Sequence, residues 1–379
     1  MRRVTIPGTF LALTFALQQS AGLAAVLPVA HEKTVQVDGL ERQYLVFVPS
    51  KSNEPMPVVF VLHGGGGTAR QIERTTKFDD LAEQDGFVVV YPESVGGNWN
   101  DGRGVEFMQA QRENIDDVKF VKSILDDLAK DHKIDRSRVF STGISNGGFM
   151  SHRLAAEASD AIAAIAPVVG GMAPTIAEKF KPEFPVSILI IQGDTDPLVP
   201  IDGGDVVLGR GRPRGKVVAT KEALAKYVQR NGNHGDPVTT TLDADPNDDT
   251  SVEIIKYPDG PGDTKTWFYL IKNGGHTWPG RAQIARENVI GWTSQEFSAT
   301  ETAWDFFKGC PSRSSSRKCT IYRGMKDLSK WGPRQMTLYE RLGGVFAIAT
   351  VVDDFIDRIM DDPRLNANPK VNEAHHKVA

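Results

Sequence analysis

Cysteine is nearly missing from this chain: Cys310 and Cys319 are the only two in 379 residues. A disulfide-built scaffold is therefore excluded, and neither thiol lies in a segment to which chemistry is assigned below. A bond between them would close only a small loop. An excess of either charge is missing too, since 44 Lys and Arg face 48 Asp and Glu for a formal net charge of −4. Nothing in that balance points to nucleic acid or to an anionic membrane surface. Beyond the N-terminus no apolar run is long enough to span a bilayer, and no internal repeat is visible.

The N-terminus departs from this pattern. Met1-Arg2-Arg3 supplies a positive start, a mostly apolar run follows from Phe10 to Leu17, and small residues cluster from Ser20 to Ala25. This order predicts a secretory signal peptide over residues 1–25, a secreted or periplasmic protein, and no membrane association after cleavage. At 379 residues the chain exceeds the ~250–300 at which single cores stop growing, so one large domain with an appendage is expected.

Val35 and Val37 alternate with polar residues, Asp38-Gly39 signals a turn, and Tyr44, Val46 and Val48 alternate again, which predicts an opening hairpin. The runs Val58 to Leu62, Phe87 to Tyr91, Val139-Phe140 and Val186 to Ile191 are short, continuous and rich in β-branched residues, as strands buried on both faces are. Between them come helical patterns, clearest at Val118, Val121, Leu125 and Leu128 behind Asp116-Asp117. The alternation predicts an α/β fold with a mainly parallel central sheet. The Thr- and Asp-rich stretch from Asn231 to Thr250 reads as an irregular excursion before strands over Val252 to Tyr257 and Thr266 to Ile271. A helix over Thr300 to Lys308 would close a domain running over residues 33–308. The polar sequence from Pro311 to Lys318 opens a linker assigned to residues 309–336. From Leu338 to Ile359 apolar residues return at helical spacing, giving a short helical appendage over residues 337–379.

Chemistry concentrates at Gly143-Ile144-Ser145-Asn146-Gly147, which follows the strand Val139-Phe140 and precedes a helix expected over Gly148 to Leu154. A sharp strand-to-helix turn lifts a serine hydroxyl clear of the sheet, and the new helix aims free NH groups at developing negative charge. Upstream, the strand Val58 to Leu62 runs into His63-Gly64-Gly65-Gly66-Gly67, where a backbone can lend a second donor to an oxyanion hole. Downstream, Asp196 follows the strand Val186 to Ile191, and His276 follows the strand Thr266 to Ile271. Asp194 is a rival acid in the same turn; Asp196 directly precedes Pro197-Leu198-Val199-Pro200, and the family resemblance described below implies that it is the acid. In this scheme Ser145 is the nucleophile, His276 the general base and Asp196 its orienting acid. The NH groups of Asn146 and the Gly64-Gly65 loop hold the oxyanion. No metal or organic cofactor is required.

Together with Asn98-Trp99-Asn100-Asp101-Gly102 and Gly275-His276-Thr277-Trp278-Pro279-Gly280, these segments give a chain that resembles the polyhydroxybutyrate depolymerase and feruloyl esterase family over residues 34–308. The resemblance implies an α/β-hydrolase fold and secreted ester hydrolysis on hydroxyalkanoate oligomers or on feruloyl and acetyl esters of plant polysaccharides. Trp99 and Trp278 are candidates for a substrate-facing aromatic surface, with loop packing as the other reading. The tail does not resemble a granule-binding module, which favours soluble or oligomeric substrates. It is instead similar to the first part of a truncated haemoglobin, through Leu338-Tyr339-Glu340-Arg341-Leu342-Gly343-Gly344, Val351-Val352-Asp353-Asp354-Phe355 and Asp362-Pro363-Arg364-Leu365. Ile356 stands where that family commonly has a distal tyrosine, and His375-His376 are poorly placed to act as the proximal ligand, so haem is not expected. The alternatives to an esterase are a haem- or oxygen-binding fusion protein and a non-catalytic binding module on a hydrolase fold.

Overall fold

A computed structural model describes residues 29–52, 55–207, 211, 213–244 and 248–313. The expected signal peptide, most of the linker, the globin-like appendage and Cys319 lie outside these residues. Among the described residues no helix is long and apolar enough to cross a membrane.

The strands are β1 (His31–Val37), β2 (Leu40–Phe47), β3 (Met56–Leu62), β4 (Val88–Pro92), β5 (Ile134–Ile144), β6 (Ala164–Val168), β7 (Ser187–Gly193), β8 (Gly204–Asp205), β9 (Lys216–Val217), β10 (Val238–Leu242), β11 (Ser251–Lys256) and β12 (Thr266–Lys272). The helices are α1 (Ala69–Thr76), α2 (Phe78–Asp85), α3 (Gln109–Arg112), α4 (Asp117–Asp131), α5 (Asn146–Glu157), α6 (Pro174–Glu178), α7 (Thr220–Asn231), α8 (Glu287–Ile290) and α9 (Ala299–Lys308).

Ten strands form one sheet in the order β1-β2-β4-β3-β5-β6-β7-β12-β11-β10, and β8 pairs only with β9. The six central strands run parallel, while β1 and β2 at one edge and β11 and β10 at the other are antiparallel. The opening hairpin turns on Asp38 (φ 51°) and Gly39 (φ 81°), the twist that a two-residue connection needs. Along β3 the side chains alternate between two cores. Val58, Phe60 and Leu62 belong to the core that includes side chains of α4, α5 and α7, whereas Val59 and Val61 belong to the one that includes side chains of α1, α2 and α9. Covering both faces explains why the central strands read as unbroken apolar runs. This strand order with helices on both faces is the α/β-hydrolase fold.

Helix α4 starts where the sequence placed it, with the Asp116 side chain accepting from the Lys119 amide. In α9, Trp304 stacks on Phe87 and Phe307 on Phe140, at ring separations of 3.7 and 4.7 Å. Two expectations need correction. The Asn231 to Thr250 excursion contains β10, which pairs with β11 from Val238↔Lys256 to Leu242↔Val252. Its Val-Thr-Thr-Thr side chains are exposed, so an edge strand there carries the polar composition of a loop. Packing also continues past Lys308 into the segment assigned to the linker: Cys310 is buried, and Arg313 bonds the carbonyls of Ser137 and Ile162.

Candidate active site

Four loops leave the C-terminal ends of β3, β5, β7 and β12, the positions at which open parallel sheets gather their functional groups. The β5 loop is a single residue. Ser145 has φ 54° and ψ −119°, a strained conformation for a side chain bearing Cβ, and α5 begins at Asn146. Two ties hold it: the Ser145 amide donates to Val168 O at 3.0 Å, and Ser145 O accepts from the Phe149 amide at 2.9 Å. The turn is tight enough that a Cβ on Gly143 would stand 2.6 Å from Leu62 O, and one on Gly147 would collide with the same carbonyl. Glycine is required at both because β3 passes directly beneath the turn.

The glycine loop after β3 lies against this turn. A Cβ on Gly64 would be 3.6 Å from Ser145 Cβ, and one on Gly65 would be 3.7 Å from Asn146 Cβ. Asn146 is the first residue of α5, so its amide has no partner within the helix. Its side chain is fixed: Oδ1 accepts from the Trp99 amide at 2.8 Å, and Nδ2 donates to Asp101 Oδ2 at 2.5 Å. Asp101 is itself paired with Arg103 at 2.7 Å, and all three side chains are buried.

The acid and histidine loops are joined backbone to backbone, with the Thr195 amide donating to Gly274 O at 3.1 Å, while the Gly275 amide ties the histidine loop to Trp292 O at 2.9 Å. Across this junction His276 Nδ1 meets Asp196 Oδ2 at 2.8 Å, with the Asp196 side chain fully buried. The other Asp196 oxygen accepts from the amides of Leu198 and Val199 at 2.8 and 2.9 Å, and Gln192 Nε2 reaches Oδ2 at 3.2 Å. A carboxylate with both oxygens occupied cannot rotate away from the imidazole. Nδ1–H then points at Asp196, leaving Nε2 as the free basic nitrogen. Asp194 faces elsewhere: it accepts from the Asn273 amide at 2.7 Å and pairs with Lys272 at 2.8 Å, joining β7 to β12.

Trp99 and Trp278 do not form a substrate-facing surface. Trp99 is fully buried with Nε1 donating to His63 O at 2.9 Å, and Trp278 is buried with Nε1 donating to Thr300 Oγ1 at 3.0 Å. Each indole nitrogen finds its partner inside the fold, so both rings serve loop packing. His63, left without a role by the sequence, packs its ring 4.9 Å from that of Trp99, places Nδ1 2.8 Å from Gly64 O and accepts from the Ser94 amide at 3.3 Å. Burial pushes His63 down to about 4, so it is neutral at physiological pH. The contributions of Gln192, Asp101 and Arg103 were also invisible in the sequence, because each acts through a partner distant in the chain or a backbone amide. Among the described residues no group of His, Cys, Asp and Glu is arranged to hold a metal ion.

The sequence profile of the Esterase PHB depolymerase family matches residues 42–202. The chain is 31% identical over 264 residues to "Putative esterase NocK" of Nocardia uniformis subsp. tsuyamanensis, covering 68% of this chain and 75% of that protein. It is 27% identical over 243 residues to feruloyl esterase B of Piromyces equi, covering 62% of this chain and 42% of the relative. Over 134 residues it is 34% identical to poly(3-hydroxyalkanoate) depolymerase C of Paucimonas lemoignei, covering 34% of this chain and 31% of that one. The alignment with the Nocardia protein extends well beyond the matched profile and spans three quarters of that relative. The chain accordingly belongs to the Esterase PHB depolymerase family and is a carboxylic ester hydrolase.

Proposed function

We propose that the protein is a secreted serine esterase that works through an acyl-enzyme on Ser145. His276 Nε2 takes the Ser145 proton as Oγ attacks the ester carbonyl, and returns it to the departing alcohol. Water, deprotonated by the same imidazole, then releases the acid. Asp196 holds the ring in the required tautomer and stabilises the imidazolium. The amide of Asn146 and the Gly64-Gly65 backbone receive the negative oxygen. The observation that carries this reading is the buried Asp196–His276 bond at 2.8 Å, on loops that leave the same sheet end as the strained Ser145 turn.

The substrates fall within two classes: hydroxyalkanoate oligomers, and feruloyl or acetyl esters of plant polysaccharides. The names of the Paucimonas and Piromyces relatives motivate them. The signal peptide expected over residues 1–25 motivates secretion. The experiment is hydrolysis of p-nitrophenyl acetate and butyrate, methyl ferulate, acetylated xylan and 3-hydroxybutyrate oligomers by wild type and Ser145→Ala. Ser145→Ala should lower kcat by about four to six orders of magnitude on every ester turned over. Undiminished turnover by the variant would remove Ser145 from the reaction.

A further inference from the structure

Beside the glycine loop stand two polar groups that the proposed reaction leaves unused. At the position where a Cβ would stand on Gly65, Asn98 Oδ1 is 2.8 Å away and Arg214 Nη1 is 3.7 Å away, with Asn146 Cβ also at 3.7 Å. Asn98 Oδ1 is buried and accepts no hydrogen bond. Its own Nδ2 is turned to Gly96 O at 3.3 Å, which leaves the acceptor end without a partner beside the glycine loop. Arg214 is held there by its backbone: its amide donates to Val206 O at 2.7 Å, and its carbonyl accepts from Arg103 Nη1 at 2.9 Å. Among the described residues its guanidinium has no carboxylate partner. The neighbouring Arg103, by contrast, is neutralised by Asp101 and lies over the Phe149 ring at 4.1 Å.

A partly buried guanidinium without a counter-ion, beside an acceptor without a donor, is complementary to an anion that also carries a hydroxyl. Guanidinium binds carboxylate as a planar fork, and desolvation strengthens the pair. We infer that Arg214 determines specificity by binding a carboxylate of the substrate, and that the enzyme prefers anionic esters. A free hydroxyl of the same molecule reaches Asn98 Oδ1. This rests on the reading of the Gly64-Gly65 loop as part of the reaction centre. The carboxylate comes from the acyl side or from the alcohol side of the ester, and two substrate pairs distinguish them. p-Nitrophenyl succinate against p-nitrophenyl butyrate tests the acyl side; the 3-hydroxybutyrate dimer against its methyl ester tests the alcohol side.

Wild type should favour the anionic member of one pair. Arg214→Gln should lower kcat/KM on that member by about 10- to 100-fold while changing the neutral member by less than about 3-fold, as loss of one charge-assisted pair does. Raising the salt concentration should erode the wild-type preference. A wild type without preference for the anion in either pair would overturn the inference, and so would an Arg214→Gln variant that loses both members equally. Should that variant fail to fold, the wild-type preference and its salt dependence decide alone. Ser145→Ala, assayed on neutral p-nitrophenyl butyrate alongside, tests the serine mechanism separately, since its outcome does not depend on Arg214.

Discussion

Asp194 and Asp196 stand two positions apart in one turn, and their surroundings predict opposite kinetic outcomes. Asp196→Asn preserves shape but removes the charge that orients His276, so kcat should fall by about 10⁴ with little change in KM. Asp194→Asn should keep kcat within about threefold, because the loss there is a surface contact with Lys272 that is partly screened. Steady-state kinetics on p-nitrophenyl butyrate check both, and equal losses would mean that the acid has been misassigned. The sequence pointed to Asp196 through the family resemblance carried by Asp196-Pro197-Leu198-Val199-Pro200. What it could not display is the cause, namely the amides of Leu198 and Val199 and the Gln192 side chain, which fix both oxygens. The tryptophans show the reverse. Trp99 and Trp278 were recognisable as members of site loops, but whether an indole faces solvent depends on His63 and Thr300, contributed by other elements.

The strand–turn–helix unit around Ser145 was readable because each of its parts is local: an apolar strand, glycines at the turn, and an apolar helix face. The need for glycine at position 147 is not local, since it arises from Leu62 on the neighbouring strand. Gly147→Ala should therefore destabilise the protein by about 1–3 kcal/mol through overpacking and lower turnover by displacing α5 from β3. Denaturant melts together with kinetics check this, and a variant with unchanged midpoint and turnover would refute the close approach. Strand β10 went unread for the opposite reason. Its alternation is lost when nearly every side chain is exposed, so only the pairing with β11 identifies it.

At the scale of the whole molecule, two imidazoles among the described residues are buried and pair with no carboxylate strongly enough to keep them charged. Burial pushes His63 from 6.5 to about 4, and His152, beside Tyr227 at 3.1 Å, to about 3. The folded protein holds both neutral while the unfolded chain protonates them below about pH 6.5. Stability is thus fully present above that pH and is lost as the pH falls toward 4. At about 1.4 kcal/mol per unit, His63 alone removes roughly 3 kcal/mol by pH 4. Asp79, pushed up to about 6 by burial, gains a proton in the folded state over part of this range and offsets some of the loss. Thermal melts should show the midpoint dropping steadily from pH 7 to pH 4, with a shallower slope in His152→Gln. A flat profile would count against the neutral buried histidines.

The four site loops follow strands that end at Leu62, Ile144, Gly193 and Lys272, a span that covers most of the described chain. Their convergence makes turnover a property of late folding. His276 follows β12 and Asp196 follows β7, so their contact requires β12 to have paired with β7. In refolding from denaturant, far-ultraviolet circular dichroism should recover first and ester turnover last. Partially folded species would then be compact and mute, and a catalytic assay would count only the chains that have finished.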